Sequence, residues 1–398
     1  SFLMNKINLL PMAGINNVSK DEALQVRGDA PRTYLREALN VDISPNGKPR
    51  MRDGMRNVTS TPLANLWQSP LHGDIFATLG DQWVSVDPTD WSTQPLATIG
   101  EGQVSHMVLN NAVLVAGPAG IFTFGGTHAQ RMTIDTPPPP MVTGGAGALE
   151  AGSYGVAVSW LRNGMESPPS AITHCVLASG GGLDVILPMC MDSTVTHARL
   201  YFTRQNGGEL ARGEDYPIGL SVVAVPLLPK LGGPPQFWRM DAMPTGLYRG
   251  YWSGRHVTER ANVLRFSEAM AYHIHDQRHG YVQMPQRITF VQPVDNGIWV
   301  GQVDHVAFLQ GASPESLELQ TKATKAPVPG SAMKVKAEVL GEMAAGGGEC
   351  AVWLAENGYV VGTAGGAVVE PMAKVMKGVR ASAGATVVFG DRLLTAVT

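Results

Sequence analysis

Cysteine is nearly missing from this chain. Its 398 residues hold three, Cys175, Cys190 and Cys350, and no C-x-x-C pair. That excludes a disulfide scaffold and leaves zinc-ribbon or thioredoxin-type chemistry without its residues. The low, odd count fits assembly in a reducing cytosol. Charge is also sparse: 16% of residues are charged, against roughly 25% in ordinary soluble domains. Such a deficit is expected of a subunit that covers much of its surface with neighbours. Lys and Arg number 30 and Asp and Glu 33, a formal charge of −3, so the basic excess of a dedicated nucleic-acid binder is absent. Aromatics make up only 7%, which disfavours a sugar-stacking surface. No apolar run approaches the roughly 18 residues of a membrane span. The opening Ser1-Phe2-Leu3-Met4-Asn5-Lys6 lacks the plan of a secretory signal.

The motifs of common enzymes are missing too. No G-x-S-x-G elbow or H-E-x-x-H zinc pair occurs, and the glycine run at Gly346-Gly347-Gly348 lacks the Gly-Lys-Ser/Thr ending of a phosphate loop. The reading assigns no catalytic residue, no cofactor and no metal site, and expects no enzyme.

What the chain has is glycine, 46 residues, and proline, 28, spread without a short period. Many strands joined by tight turns produce that distribution. Two proline-rich stretches bracket the middle: Thr136 with Pro137 to Pro140, and Gly232-Gly233-Pro234-Pro235. Stretches of this kind are stiff and extended and separate domains. They enclose about 90 residues, close to the roughly 100 of an immunoglobulin-like sandwich. Inside, large apolar residues alternate along Tyr154, Val156, Val158 and Trp160, along Leu183, Val185 and Leu187, and at Leu200 and Phe202. Alternation predicts half-buried strands.

Outside the brackets a hairpin recurs. Asp295-Asn296-Gly297 leads into Ile298-Trp299-Val300-Gly301 and a return strand from Val306; 61 residues on, Glu356-Asn357-Gly358 leads into Tyr359-Val360-Val361-Gly362 and a return at Ala367. Looser copies follow Gly80-Asp81, Asn110-Asn111 and Gly390-Asp391, and two further strand pairs lie around Val41 to Met51 and Tyr251 to Phe266. Repeated hairpins at such intervals predict a β-propeller-like body in which each small sheet is covered by the next. The expected fold is all-β: six or seven blades, interrupted by an immunoglobulin or fibronectin-type-III-like β-sandwich. The boundaries are 1–136 and 236–398 for the two parts of the body and 141–233 for the insert. A strand at Lys6 to Leu10 is expected to close the ring, and short helices are expected at Asp21 to Val26 and Ser267 to Ile274.

Two clusters carry possible chemistry. His273, His275 and His279 stand with Asp276 and could bind a transition metal or sense pH; the alternative is an exposed loop between strands. Arg32, Arg36, Arg50, Arg52 and Arg56 lie in a run whose first 60 residues hold nine basic and six acidic side chains. They are candidates for DNA phosphate contact or a subunit interface, with local pairing to Glu37, Asp42 and Asp53 as the alternative.

Several longer segments carry a resemblance. Leu35 to Gly54, with Asn40-Val41-Asp42-Ile43, Gly47, Arg50-Met51-Arg52 and Gly54, follows Gly14-Ile15-Asn16-Asn17. This resembles the opening of a group of tailed-bacteriophage virion proteins. Leu149 to Tyr154, Glu166 to Ser170, Arg199-Leu200-Tyr201 and Asn206-Gly207-Gly208 resemble the fibronectin-type-III-like module inside such proteins, and Leu264 to Glu268 and Asp295 to Gly301 resemble their later blades. The resemblance implies a tail nozzle (tail tubular) protein, or a neck or tail-tip component of a longer-tailed phage. It implies a structural subunit of the virion, assembled in the host cytoplasm. Its partners would be copies of itself in a ring, usually sixfold, the portal and head-to-tail adaptor, tail fibre or tail-tip proteins, and double-stranded DNA passing without sequence specificity. The other reading is a host-receptor or glycan-binding, depolymerising propeller.

Overall fold

A computed structural model describes residues 10–341, 347–390 and 392–398. The chain is all-β, and four of the ten sheets of the described residues are four-stranded antiparallel meanders. Among the described residues the one α-helix is the single turn Ala337–Leu340, and no helix is long and apolar enough to cross a membrane. The chain divides into two compact units, Pro62–Gln283 and the pair Ser1–Thr61 with Met284–Thr398.

In the unit Pro62–Gln283, sheet A is formed by Ala64–Gln68, Ile75–Leu79, Gln82–Val86 and Thr93–Thr98, and sheet B by Ser105–Leu109, Ala112–Gly117, Gly120–Phe124 and Ala129–Arg131. The turn Asn110-Asn111 is read correctly from sequence for a physical reason. Both residues take positive φ, 51° and 57°, and asparagine tolerates that region, so the tightest hairpin turn is available. Sheets A and B pack face to face through Phe76, Trp83, Val113 and Val115. The far face of B, with Leu109, Leu114 and Ile121, packs on Met243 and Tyr272. Those belong to sheet C and its approach: Asp241–Ala242, Ala271–His275, Val263–Glu268, Arg255–Arg260 and Gly250–Trp252, with Tyr281–Gln283 also paired to Val263–Glu268.

Between B and C in sequence the chain forms a sandwich. One sheet contains Met141–Leu149, Gly181–Ile186 and Val222–Val225; the other is built on Gly152–Arg162, flanked by Met165–Glu166, Thr173–Leu177, His197–Thr203 and Leu210–Pro217. Val156, Val158, Trp160, Leu200 and Phe202 from the second face Leu183, Val185, Val223 and Val225 from the first in one buried core. Ile134, in the stretch leading to the prolines, is buried in that same core. The connection is therefore packed down and does not hang free.

In the other unit, sheet D comprises Ile288–Val294, Gly297–Gln302, Val306–Gln310 and Glu318–Lys322, and sheet E comprises Met333–Lys336, Glu349–Ala355, Gly358–Gly362 and Val368–Val369. D and E stack through Phe290, Trp299, Phe308 and Trp353. Glycine stands at Gly301, next to last in its strand, and at Gly362, last in its own, to admit rings. A Cβ on Gly362 would lie 2.5 Å from the Trp299 indole, and one on Gly301 would collide with the Phe290 ring. The indole Nε1–H of Trp299 donates to the Thr363 carbonyl at 2.9 Å, tying D to E. Hairpin F, Gly384–Phe389 with Arg392–Val397, lies on E: Leu393 joins the cluster of Val335, Cys350 and Val352, and Tyr359 Oη and Thr395 Oγ1 are 2.7 Å apart. At the start, Met12–Ile15 pairs in parallel with Arg32–Leu35, and Val41–Ile43 forms a hairpin with Pro49–Met51.

Two sequence expectations fail. Asp21 to Val26 is a 3-10 turn, Asp21–Ala23, followed by a short strand, Gln25–Val26. Ser267 to Ile274 is the end of one strand, a turn and a second strand, with Glu268 opposite Ala271. Its alanines and methionine favour helix locally, but Ala271, His273, Ile274 and His275 are all buried in the sheet, and burial outweighs propensity differences of a few tenths of a kcal/mol. Residues 6–9 of the expected closing strand, and Asp391 of the last turn, lie outside the described residues; Leu10 is in no strand.

Candidate functional site

The five arginines lie on the N-terminal segment of their unit. Asn40 takes a φ of 53° and starts the hairpin, in which Asp42 stands opposite Arg50. Asp42 accepts from Arg52 Nε at 2.9 Å and lies 3.6 Å from Arg392 on hairpin F. Arg50 pairs with Asp53 at 3.2 Å. Arg36 reaches the Asn16 carbonyl and Asp21, a partner outside the expected Glu37, Asp42 and Asp53. Arg32 and Arg56 are exposed and make no ion pair with a described residue. Local pairing thus engages three of the five, and surface pairs of this kind contribute little stability, ~0–1 kcal/mol each. Two stay available to a polyanion. The Gly14 to Asn17 motif has a fixed job. The Asn16 side-chain oxygen accepts from the amides of Val18 and Ser19, and Asn17 exchanges two hydrogen bonds with Lys377, both 2.8 Å.

Large apolar side chains are exposed on the same two elements. Leu39, Met51 and Met55 are exposed on the arginine segment, and Val387, Phe389 and Val397 on hairpin F; Phe389 retains 71% of its surface. Asp42 joins the two elements through Arg52 and Arg392. Exposed apolar side chains together with arginine are the composition of a protein interface.

The histidines do not form a set. His273 and His275 sit in a strand and are buried, which corrects the exposed-loop reading. His273 Nε2 donates to the Glu166 carbonyl at 2.8 Å, and His275 Nδ1 donates to the Phe266 carbonyl at 2.8 Å. Asp276 is held by two Arg278 nitrogens at 3.0 Å, which keep its carboxyl below the usual range. His279 is exposed. Among the described residues no group of three or more His, Cys, Asp or Glu side chains is placed to hold a metal.

Two buried arginines escaped the sequence reading. Arg162 ends the longest sandwich strand and is 1% exposed. Its guanidinium donates to the carbonyls of Arg131 and Met132 at 2.8 and 3.1 Å and to Thr194 Oγ1 at 3.1 Å, with Asp192 at 3.7 Å. It therefore bolts the sandwich to the end of sheet B, as His273 bolts it to sheet C. Arg249 donates to Ser105 Oγ and to the Ser105 and Leu114 carbonyls. No carboxylate of a described residue pairs with it, and burial pulls it down to about 9. The acid-looking group of Glu166, Arg199 and Asp215 is spent internally. Arg199 bridges the two carboxylates at 2.9 and 2.7 Å, and Ser159 and Tyr201 donate to Glu166.

Arg249 sits near two enclosed histidines. His106 stacks on Trp67 with centroids 5.1 Å apart, and its Nε2 accepts from Trp83 Nε1 at 3.1 Å. Burial, then the charge of Arg249, push it down to about 3. The same two causes, in the same order, place His256 well below its ordinary value. A histidine whose folded value is depressed stabilises the fold fully above its unfolded value of ~6.5 and loses that contribution as pH falls toward the folded value. Between pH ~7 and ~4.5, His106 alone is expected to cost the fold about 2 kcal/mol. Urea midpoints at the two pH values should differ less in His106→Gln, whose amide oxygen still accepts from Trp83. An unchanged pH slope in that variant removes His106 as the cause.

No protein-family model matches the chain, and no curated protein matches it. Among solved structures, the crystal structure of BBS1N in complex with ARL6DN aligns at 11% identity over 87% of this chain and 93% of that one, with a TM-score of 0.31. The AfRom2 CNH domain aligns at 8% identity over 75% and 93%, with a TM-score of 0.19. At these scores both superpositions are loose, and the fold rests on the chain's own strand pairing.

Proposed function

We propose that the chain is a structural subunit of a bacteriophage tail, a nozzle-like protein that forms a ring around the DNA-ejection channel below the portal and adaptor. In this reading sheets A to E and hairpin F are blades of a propeller of six or seven, and the sandwich is a fibronectin-type-III-like insert. The observation that carries the reading is the apolar surface of Leu39, Met51, Met55, Val387 and Phe389, set among paired arginines. Exposed side chains of this size need a neighbour to cover them, and a ring supplies one at every subunit. Arg32 and Arg56, unpaired among the described residues, would meet DNA phosphates without reading sequence. The sparse charge and the resemblance of residues 35–54 agree with this.

Native mass spectrometry and electron microscopy of the purified chain test it. Rings with an axial opening, sixfold by the resemblance, are expected. Met51→Glu with Phe389→Glu should break them into monomers whose melting temperature is unchanged, because both side chains are already in water. A wild-type chain that stays monomeric at high concentration, and that lies off the tail axis in the particle, overturns the proposal.

A further inference from the structure

Sheet C carries a cleft that neither the ring nor the arginine segment uses. Its volume is about 330 Å³, at the small end of ligand sites, which run from about 300 Å³. Strand pairing builds it. Asp241 stands opposite His275, and Arg265 opposite Tyr281. Residues directly opposite in an antiparallel pair project from the same face, and all four line the cleft, with Gln277 and Val263.

The polar groups are unusually free. Arg265 Nε is buried without a partner, and no carboxylate of a described residue lies within ion-pairing distance of the guanidinium. Burial and the neighbouring charge of Arg260 disfavour its cationic form, and the charge of Glu259 offsets them only in part. An oxoanion arriving in the cleft would relieve both costs, and a guanidinium takes a carboxylate through two parallel hydrogen bonds. His275 spends Nδ1–H on the Phe266 carbonyl, so in the neutral ring the acceptor is Nε2. Asp241 is a second acceptor, Gln277 can donate or accept, and Tyr281 is about half exposed and offers a ring face. Acceptors suit hydroxyl groups. They oppose a second negative charge, so a polyanion laid along the cleft is disfavoured by Asp241.

We propose that this cleft binds one residue of a sugar acid: its carboxylate on Arg265, its hydroxyls on Asp241, His275 and Gln277, and its ring against Tyr281. The proposal stands apart from the ring reading and survives or fails without it. Isothermal titration calorimetry with D-glucuronate, D-glucose, inorganic phosphate and a short double-stranded DNA tests it on the full chain. Glucuronate should bind at least about tenfold tighter than glucose, one charge-assisted pair being worth that much or more. Arg265→Gln should abolish the difference. Tyr281→Ala, a half-exposed change that leaves the fold intact, should weaken glucuronate several-fold, and it decides the matter if Arg265→Gln does not fold. No glucuronate binding, equal binding of glucose, phosphate or DNA competing as tightly as glucuronate, or full binding by Tyr281→Ala each overturns it.

Discussion

Replacing Trp299 with alanine is expected to cost about 4 kcal/mol, within the ~3–5 kcal/mol typical of a deleted core aromatic. Trp299 is fully buried, its ring lies 4.8 Å from Phe308 and 5.5 Å from Trp353, and its Nε1 holds the Thr363 carbonyl. The cost has three parts: lost apolar burial, a cavity between two sheets, and a carbonyl left without its donor. Gly362 makes the cavity hard to heal, because its missing side chain is the space the indole fills. Chemical denaturation gives the number. A loss under about 1 kcal/mol would mean that D and E do not depend on each other for burial.

Arg162→Ala should be nearly as damaging, about 3 kcal/mol, because it strands the Arg131 and Met132 carbonyls and leaves Asp192 without its cation. Its signature should also be local. Amide exchange and proteolysis across residues 132–140 should rise more than anywhere in sheet A, since on that side the sandwich then rests on Ile134, with the His273 bond and the packing of Phe237 and Trp238 left on the other. Arg162→Met, which keeps the apolar stem, separates lost packing from lost hydrogen bonds. Equal exchange in wild type and both variants would falsify the idea that Arg162 fixes the insert.

Strands and turns were legible wherever one residue type has one local meaning. Alternation at Tyr154, Val156, Val158 and Trp160 marked a strand, and Asn110-Asn111 marked a turn. Gly301 and Gly362 were seen as strand ends, but their cause, an aromatic ring arriving from elsewhere, was not visible. The same limit hid Arg162. An arginine at a strand end reads as solvent-facing, and its carbonyl partners lie 30 and 31 residues back. The cleft of sheet C was unreadable because it needs four strands from separate stretches, 241–242, 263–268, 271–275 and 281–283, in one register. Ser267 to Ile274 misled because helix propensity is local and burial is not. Asp42 and Asp53 were legible as partners of the arginine run, but Asp21 was not: Asp53 is three residues from Arg50, while Asp21 is fifteen from Arg36.

The sandwich also bears on the order in which the chain folds. Sheets B and C must meet although the whole insert separates them in sequence, and closing a loop of that length is slow. The insert's first and last strands, Met141–Leu149 and Val222–Val225, both pair with Gly181–Ile186. Two strand spacings, about 10 Å, therefore separate these two strands once it is formed. A sandwich that forms first turns a long loop into a short one, and sheets B and C then close across it as if they were neighbours along the chain.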